Sequence, residues 1–354
     1  MSYYDGTKIL SLTDINGNKP EIYLITTNRS GGKTTYFGRL AINRFFKYKQ
    51  KFALLYRFKY ELTDIHEKFF KDIGELFFPN YTMIDKTRQK GCYSELFLID
   101  NNKPDDDPIS VGYALAINCA DGIKKFSHFF SDVGMIIFDE FQSETNHYCN
   151  DEINKFQSIH TSIARGKGKQ RRYVPVFMLS NPVSLLNPYY SKLNISSRLT
   201  SETKFLRGDG YVLEQGFVKS ASDALLDSGF YRAFNSKEDN YTNYATQGVY
   251  LLDSNSFIEK PKGNNRYFVT FKYKGSEYGV RIYDDLGIIY CDDKPDITYK
   301  NKIAVTTDDF SINYVTLNYN IDVIIQLRYY FNKGCFRFKN LQAKECILAA
   351  LSIK

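Results

Sequence analysis

The chain contains no tryptophan, and its 354 residues include only four histidines and six cysteines. No two cysteines form a C-x-x-C pair, and the histidines do not complete a zinc-binding pattern with them. Zinc sites of the usual spacing are therefore excluded. We expect the cysteines to be reduced and mostly packing residues in a cytosolic protein.

Long hydrophobic runs are also missing. No apolar segment approaches the ~20 residues that a membrane-spanning helix needs, and the N-terminus, MSYYDGTKIL, has no apolar signal region. The pattern predicts a soluble protein with no membrane partner. Hydrophobic residues make up 43% of the chain, enough for the cores of two domains. The net charge of +7 suits a polyanionic partner but also occurs in proteins without one.

The most informative stretch is EIYLITTNRSGGKTT, residues 21 to 35. A β-branched apolar run predicts a buried strand, and the amphipathic stretch 33–48 predicts a helix after a short loop. Two glycines let backbone N–H groups turn around a phosphate, while the lysine reaches the terminal phosphates and the next hydroxyl holds Mg²⁺. The predicted nucleotide-binding residues are Thr27, Asn28, Arg29, Ser30, Gly31, Gly32, Lys33, Thr34 and Thr35.

This loop departs from the pattern G-x-x-x-x-G-K-[ST] at one position, where Thr27 replaces the first glycine. The alternative interpretation is a chance GGKT in a turn, but the flanking strand and helix are what the phosphate-binding mechanism requires. Arg29 is expected either to contact phosphate or to pair with an acid.

Two carboxylates end another apolar strand, VGMIIFDE, over residues 133–140. Asp139 is placed to hold the Mg²⁺ shell, and Glu140 is placed to polarise the attacking water. The alternative is an ordinary Asp-Glu at a strand end. About a hundred residues after GGKT, the pair predicts an ATPase with ATP and Mg²⁺ as cofactors.

Two further segments carry candidate residues. Ser180 and Asn181 end the next apolar strand and could contact the γ-phosphate or the lytic water, although Ser-Asn-Pro also favours a cap or turn. The basic segment ARGKGKQRR could supply an arginine finger to a neighbouring subunit, contact DNA phosphates, or be a solvated loop. We select Arg165 as the finger, with Arg171 and Arg172 as alternatives.

Strands alternating with helices predict a mostly parallel sheet covered on both faces. We divide the chain into an α/β P-loop ATPase domain (1–200), a lid or linker subdomain (201–257) and a C-terminal domain (258–354). The last begins with a three-strand meander, followed by strands and helices in an order that resembles a ribonuclease-H-like fold.

An active nuclease of that fold needs clustered carboxylates to hold two metals. The first strand of the C-terminal domain has no acid, and the acids present fall at turns: Asp284, Asp285, Asp292 and Asp293. Basic residues instead suit phosphate contact, namely Lys272, Lys274, Arg281, Arg337 and Lys339. We therefore expect a vestigial nuclease fold that grips DNA or docks on a portal or RNA.

Four segments together resemble the DNA-packaging ATPases of small protein-primed tailed phages, the Picovirinae or phi-29 group: TTNRSGGKTT, LLYRFKYEL, MIIFDEFQSE and FMLSNPVSLLNPYY. The resemblance covers residues 20–190 by motif, and the C-terminal half by order of elements only. It implies an ASCE-type relative of large-terminase ATPases. Lys33 and Thr34 would bind phosphate and Mg²⁺, Asp139 and Glu140 would be the catalytic acids, and Ser180-Asn181 would be the coupling element.

The resemblance also implies the setting of the motor. It predicts a homo-oligomeric ring, pentameric in its family, that pumps double-stranded DNA through the portal of a procapsid in the host cytoplasm. A packaging RNA scaffolds the ring in some members. The leading hypothesis is thus a DNA translocase. The alternatives are a metal-dependent nuclease regulated by the ATPase, a helicase, and a non-enzymatic scaffold.

Overall fold

The computed structural model describes residues 3–166, 168–196, 198–199, 203–234, 240–248, 250–251, 253, 257–317 and 321–352. The chain folds into two compact units. Unit 1 comprises Met1–Tyr189 and Leu199–Leu252, and unit 2 comprises Tyr190–Arg198 and Asp253–Lys354.

Unit 1 is built on a nine-stranded sheet in the order β3-β4-β5-β2-β6-β7-β1-β9-β8. Its strands are β1 Ile22–Thr27, β2 Lys51–Tyr56, β3 Tyr81–Arg88, β4 Tyr93–Asp100, β5 Ile109–Ala116, β6 Val133–Asp139, β7 Val176–Ser180, β8 Phe205–Gly208 and β9 Tyr211–Gly216. The six strands from β5 to β9 in that order pair in parallel, whereas β3, β4 and β8 are antiparallel to their neighbours. This confirms the predicted mostly parallel α/β sheet.

Helices cover the sheet because their apolar residues recur at helical spacing. Up to residue 252 they are α1 Thr7–Ser11, α2 Lys33–Tyr48, α3 Lys71–Phe77, α4 Ala120–Lys125, α5 Glu152–Ala164, α6 Pro188–Lys192, α7 Lys219–Leu226, α8 Gly229–Phe234 and α9 Asn240–Gln247. In α2, the buried side chains Phe37, Ala41 and Phe45 face the core. Phe37 stacks on Phe177 of β7 with ring centroids 4.9 Å apart, which fixes α2 against the central strands.

The predicted separate subdomain over 201–257 differs from the structure. Residues from Leu199 to Leu252 belong to unit 1, and β9 pairs in parallel with β1 along its whole length. The reason is the short apolar run Tyr211–Leu213, which is fully buried and completes the sheet beside the strand that precedes the phosphate loop. Residues 200–202, 235–239, 249, 252 and 254–256 of that segment lie outside the description.

Two local features of unit 1 depart from simple periodicity. The helical segment that ends at Phe77 starts as a π-helical turn at His66–Phe70 and becomes α-helical only in α3. The edge strand β3 has an irregular alternation of buried and exposed residues and carries no clear strand signal in the sequence.

Unit 2 contains a six-stranded sheet in the order β14-β13-β10-β11-β12-β15. Its elements are β10 Arg266–Tyr273, β11 Ser276–Tyr283, β12 Ile288–Asp292, β13 Lys302–Ala304, β14 Val315–Thr316, α10 Ile321–Asn332, β15 Phe336–Phe338 and α11 Leu341–Ser352. The antiparallel meander β10-β11-β12 is confirmed, and β13 pairs in parallel with β10. The arrangement agrees with the predicted ribonuclease-H-like order, although the two-residue strand β14 was not anticipated.

A buried ion pair joins three elements of unit 1. Arg57, directly after β2, is 7% exposed in its side chain, and Glu152, which begins α5, is 2% exposed; their Nε and Oε2 atoms are 3.0 Å apart. The guanidinium also donates to the carbonyl of Phe141 at 2.7 Å. Glu152 accepts further hydrogen bonds from the Tyr189 hydroxyl (2.8 Å) and the Cys149 amide (2.7 Å). Because both charges are fully paired, the network holds the segment after β6 against β2.

We expect Arg57→Met to lower the free energy of unfolding by about 3–5 kcal/mol, since it leaves Glu152 buried without its partner. Arg88→Met is the matched control, because Arg88 is 44% exposed in its pair with Glu95 and should cost ~0–1 kcal/mol. Urea unfolding checks both values. The double variant Arg57→Met with Glu152→Leu tests the coupling. If its loss of unfolding free energy equals the sum of the losses in the two single variants, the pair is not coupled.

Candidate active site

The phosphate loop connects β1 to α2 with a backbone that needs glycine. Gly32 has φ +86°, in the left-handed region, and stands immediately before the first residue of α2. A Cβ on Gly31 would lie 3.0 Å from Cγ2 of Val218, so a larger side chain at this position would require Val218 to shift. The N-terminus of α2, with its unpaired N–H groups, is the part of the loop suited to bind an anion.

The residues before the glycines are structural. Thr27 is 1% exposed, and its Cγ2 lies 3.0 Å from where a Cβ on Gly216 would be, so the threonine packs against β9. Asn28 is fully buried, and its side-chain amide donates to the Val218 carbonyl (3.1 Å) and accepts from the Val218 amide (2.8 Å). Ser30 is exposed at the tip of the loop.

The parallel order β6-β7-β1 brings the predicted site residues to one edge of the sheet. The Lys33 ammonium donates to Oδ1 of Asn181 at 2.7 Å, and the Thr34 hydroxyl donates to Oδ2 of Asp139 at 2.8 Å. The amide of Glu140 donates to the other carboxylate oxygen of Asp139 at 3.0 Å. Thus Lys33, Thr34, Asp139, Glu140 and Asn181 meet as the sequence predicts, with Thr35 in the first turn of α2.

Ser180 does not face this site. It is buried, and its hydroxyl donates to the carbonyl of Asn181 at 2.6 Å. Its side chain therefore supports the turn after β7 and does not contact a phosphate directly, so Asn181 is the member of the predicted coupling pair that meets the loop.

Burial shifts the pKa values of the three charged side chains at this site. Loss of hydration lowers the pKa of Lys33, and the charges of Asp139 and Glu140 oppose this change. Loss of hydration also raises the pKa of Asp139, against the opposing effect of Lys33. The pKa of Glu140 is raised by the same loss of hydration and further by the neighbouring carboxylates Asp139 and Glu144. A carboxylate with a raised pKa is suited to accept a proton from water.

The oxygen atoms present fit a magnesium ion. Thr34 and Asp139 supply a hydroxyl and a carboxylate, and Mg²⁺ commonly takes one or two protein oxygens beside waters and substrate phosphates. Over the ranges described above, no group of three or more His, Cys, Asp and Glu side chains could hold a metal by itself. A metal at this site would thus depend on the substrate for its remaining ligands.

The sequence left two roles open for Arg29, contact with a phosphate or pairing with an acid, and in the structure it pairs with an acid. Its guanidinium pairs with Glu144, in the segment after β6, and lies over the rings of Tyr241 and Tyr244 in α9, 5.6 and 5.5 Å from their centroids. The identity of these three partners was not predicted, since the sequence pointed only to an unspecified acid and the tyrosines lie far along the chain from the loop.

A cavity of about 560 Å³ adjoins the phosphate loop on the side of β9. The Tyr4 amide donates to the Gly31 carbonyl at 2.8 Å, which ties the wall of the cavity to the loop. Two aromatic side chains stand in this wall with large exposed fractions, Tyr3 at 68% and Phe217 at 55%. The cavity was not predicted, because it is assembled from segments more than 200 residues apart.

The basic segment after α5 lies near the amino ends of β6 and β1, whereas the phosphate loop follows the carboxyl end of β1. Arg172 donates to the carbonyl of Val133, the first residue of β6 (3.0 Å), and to that of Ile163 (2.6 Å). Arg171 pairs with Glu21, just before β1. Arg165 is exposed, and Lys167 lies outside the described residues. The two alternative arginines are therefore engaged within their own chain, and Arg165 does not reach its own phosphate loop.

In unit 2, four of the five cations proposed to contact nucleic acid pair with acids. The pairs are Lys274 with Glu345 (2.7 Å), Arg281 with Asp292 (3.2 Å), Arg337 with Glu259, and Lys339 with Asp293. The Nζ of Lys272 lies 5.2 Å from the ring centroid of Tyr314. Asp284 also pairs, with Arg266 at 2.8 Å. Three of the four acids considered for a nuclease site are thus held by cations.

Comparison with known proteins decides the family. The model of the podovirus DNA encapsidation protein (Gp16) family matches residues 2–351. The chain belongs to this family. Among Gp16 relatives, the DNA packaging protein of Bacillus phage phi29 is 26% identical over 342 residues, covering 96% of this chain and 93% of the relative. That of Bacillus phage B103 is 27% identical over 319 residues, covering 89% of each.

Solved structures agree with the fold of this Gp16 chain. A chain of the bacteriophage phi-29 viral genome packaging motor assembly superimposes with a TM-score of 0.70 at 23% identity, covering 99% of this chain and 100% of the other. A chain of the Phi-28 gp11 DNA packaging motor gives 0.59 at 16% identity, covering 99% and 98%. The family resemblance inferred from the four motifs is confirmed. In the portion of the Gp16 chain that the structure describes, no helix has the length and apolarity needed to cross a membrane.

Proposed function

We propose that this chain is an ATP-driven motor that packages double-stranded DNA into a viral procapsid through its portal. The observation that carries the proposal is the meeting of Lys33, Thr34, Asp139, Glu140 and Asn181 at one edge of the sheet. Membership of the Gp16 family, whose relatives are named DNA packaging proteins, supplies the setting.

The proposed site divides its work between a phosphate cradle and a water activator. The loop N–H groups and Lys33 bind the phosphates, and Thr34 with Asp139 hold Mg²⁺, which neutralises charge on the phosphate oxygens when bound. Glu140 accepts the proton of the attacking water. Arg57 donates to the carbonyl of Phe141 at 2.7 Å, one residue beyond Glu140, so the ion pair with Glu152 supports the position of this carboxylate.

The cavity beside Tyr3 and Phe217 is the proposed site of the nucleotide base. It adjoins the loop at Gly31 and Val218, and exposed aromatic rings provide apolar faces that a base can cover. Asn181 is the proposed sensor, because a terminal phosphate competes with its amide oxygen for the Lys33 ammonium. The amide of Leu251 donates to the carbonyl of Pro182 at 3.1 Å, which connects the sensor to the end of unit 1.

A ring of identical subunits is part of the proposal, pentameric as in the family resemblance and assembled on a procapsid in the host cytoplasm. Its support is the position of Arg165, which is exposed at the edge of the sheet away from its own phosphate loop. If Arg165 acts as a finger, it must therefore serve the site of a neighbour. At that site, a cavity of about 430 Å³ is lined by the acids Glu61, Asp139 and Glu140 and by the cations Arg57 and Lys68, and it is large enough to admit a further side chain.

Unit 2 is proposed to grip DNA or to dock on the portal or a packaging RNA, and not to cut DNA. The ion pairs of Asp284, Asp292 and Asp293 support this, since a carboxylate held by a cation is a poor ligand for a catalytic metal. They also mean that phosphate contact by Arg281 or Lys339 requires exchange of an acid for a phosphate. The alternative function remains a metal-dependent nuclease with the ATPase as its regulator.

Lys33→Ala is expected to abolish nucleotide binding or turnover, whereas Glu140→Gln should bind ATP and lose about 10²–10⁴-fold in hydrolysis. Phosphate release and binding of a fluorescent ATP analogue separate the two effects. Lys71→Ala and Glu75→Gln, both exposed on α3, are matched controls for the chemical changes. Hydrolysis by Glu140→Gln near the wild-type rate would remove Glu140 from the role of base.

Arg165→Ala is expected to lower ATP hydrolysis by about 10³-fold through loss of a finger in trans. Mixing it with Glu140→Gln should restore part of the activity, since some interfaces then combine an intact arginine with an intact acid. Arg171→Ala is the control, because Arg171 already pairs with Glu21. Absence of rescue in rings shown to contain both variants would contradict the trans role.

The full chain is expected to leave supercoiled plasmid intact in Mg²⁺ or Mn²⁺, while its binding to duplex DNA weakens steeply with salt. Gel analysis and binding titrations at several salt concentrations measure the two properties. Metal-dependent nicking that is lost in Asp284→Asn or Asp292→Asn would instead establish the nuclease alternative.

A further inference from the structure

The cavity beside the phosphate loop contains an acid that the proposed hydrolysis does not use. Glu214 lies in β9 opposite Ile25 of β1, and the residue is only 6% exposed. Its Oε2 atom accepts a hydrogen bond of 2.6 Å from the hydroxyl of Tyr4. In the part of the chain that the structure describes, no group donates a hydrogen bond to the other carboxylate oxygen, Oε1. A donor for Oε1 must therefore enter from the cavity, either as water or as part of a ligand.

The free oxygen lies beside the open space of this cavity, which measures about 560 Å³. Glu214 lines the cavity together with Gly216 and Phe217. A Cβ on Gly216 would lie 3.7 Å from Oε1 of Glu214 and 3.0 Å from Cγ2 of Thr27. The absence of a side chain at Gly216 thus leaves room between the carboxylate and Thr27, the last residue of β1 before the phosphate loop. The acceptor and the loop border the same space.

Tyr4 fixes the orientation of this carboxylate. Its amide donates to the Gly31 carbonyl at 2.8 Å, and its ring packs edge-on against that of Tyr36 in α2, with centroids 5.7 Å apart. Burial raises the pKa of Tyr4, and Glu214 raises it further, so the hydroxyl stays protonated and donates. Burial also raises the pKa of Glu214, but the Tyr4 hydroxyl and the charge of Lys204 oppose this rise and favour the ionised form. Glu214 thus offers the cavity a single acceptor atom.

A single carboxylate oxygen distinguishes the two purine bases. Position 6 of adenine carries an amino group, which donates, whereas position 6 of guanine carries a carbonyl oxygen, which accepts. A carboxylate can also bind guanine, but it then uses both oxygens for the N–H donors at positions 1 and 2. The bond from Tyr4 to Oε2 of Glu214 disfavours that second mode. The exposed rings of Tyr3 and Phe217 can cover any base, so they add affinity without selectivity.

We propose that Glu214 selects ATP over nucleotides with a 6-carbonyl group, because its Oε1 atom accepts a hydrogen bond from the 6-amino group of adenine. Tyr4 is the positioning residue, which acts through Glu214 by occupying the second oxygen. The inference rests on the proposed binding of ATP at this loop, with its base in this cavity. It gives the segment before α1 and the strand β9 a part in the choice of substrate.

Calorimetric binding of non-hydrolysable ATP, GTP and inosine triphosphate analogues to the full chain with Mg²⁺ tests this selection. The wild type is expected to bind the ATP analogue about tenfold or more tightly than either of the other two, which carry the 6-carbonyl group. In Glu214→Gln, the amide can accept from an amino group or donate to a carbonyl, so the ratio should fall to about threefold or less. Glu95→Gln is the matched control, because Glu95 accepts from the Ser110 hydroxyl (2.8 Å) outside the cavity and the ratio should not change.

Tyr4→Phe keeps the ring but releases Oε2 of Glu214, so both oxygens can then meet the two N–H donors of guanine. The GTP analogue should gain about fivefold in affinity relative to the ATP analogue. Tyr173→Phe is the control, since its hydroxyl donates to the Pro20 carbonyl (2.7 Å) outside the cavity. A merely structural role of the Tyr4–Glu214 bond would weaken all three analogues by the same factor, and unchanged ratios in both variants would overturn the selection.

The outcomes also separate the selection from the proposed function. Equal binding of the three analogues by the wild type would overturn the role of Glu214 and leave the ATPase intact. Failure of the wild type to bind any analogue would overturn both. If Glu214→Gln does not fold, the wild-type ratios and Tyr4→Phe still decide the matter, because each is read as a ratio of affinities within one protein.

Discussion

Parallel pairing of β6, β7 and β1 is the constraint on which the site depends. A different polar group stands at the end of each strand. Because the strands run parallel in one sheet, these groups lie next to one another at the carboxyl ends of the strands. The hydrogen bonds from Lys33 to Asn181 and from Thr34 to Asp139 are short because the register fixes the three strand ends side by side. The buried Arg57–Glu152 pair then stops the chain beyond Asp139 from moving away.

Much of this region was predictable, since each part carries a local signal. A glycine loop between a strand and a helix is one such signal, and carboxylates at the end of an apolar strand are another; each is contained within a few consecutive residues. The aromatic partners of Arg29 were not predictable, because Tyr241 and Tyr244 meet it through folding of a segment with weak periodicity. The same holds for β9, whose short run of buried residues did not reveal that the strand pairs with β1.

The charges of unit 2 show a different limit of sequence reasoning. Lys274, Arg281 and Lys339 look like free cations when the chain is read in order, yet each pairs with an acid that lies between 11 and 71 residues away. Such pairing leaves the net charge of the chain unchanged while it reduces the local field that a polyanion meets. A basic composition therefore overstates how much positive charge is immediately available to a nucleic acid.

Asn28 has a further consequence for the loop. Its side chain offers one donor and one acceptor to Val218, the two groups that a peptide unit of β1 would offer to β9. The amide thus acts as an extra rung of the sheet, one residue after Thr27 pairs with Gly216. Aspartate would lack the donor and glutamine would be one methylene too long. The side chain of Asn28 accordingly extends the contact between this part of the chain and the segment after β9 by one residue beyond the last backbone pair of the two strands.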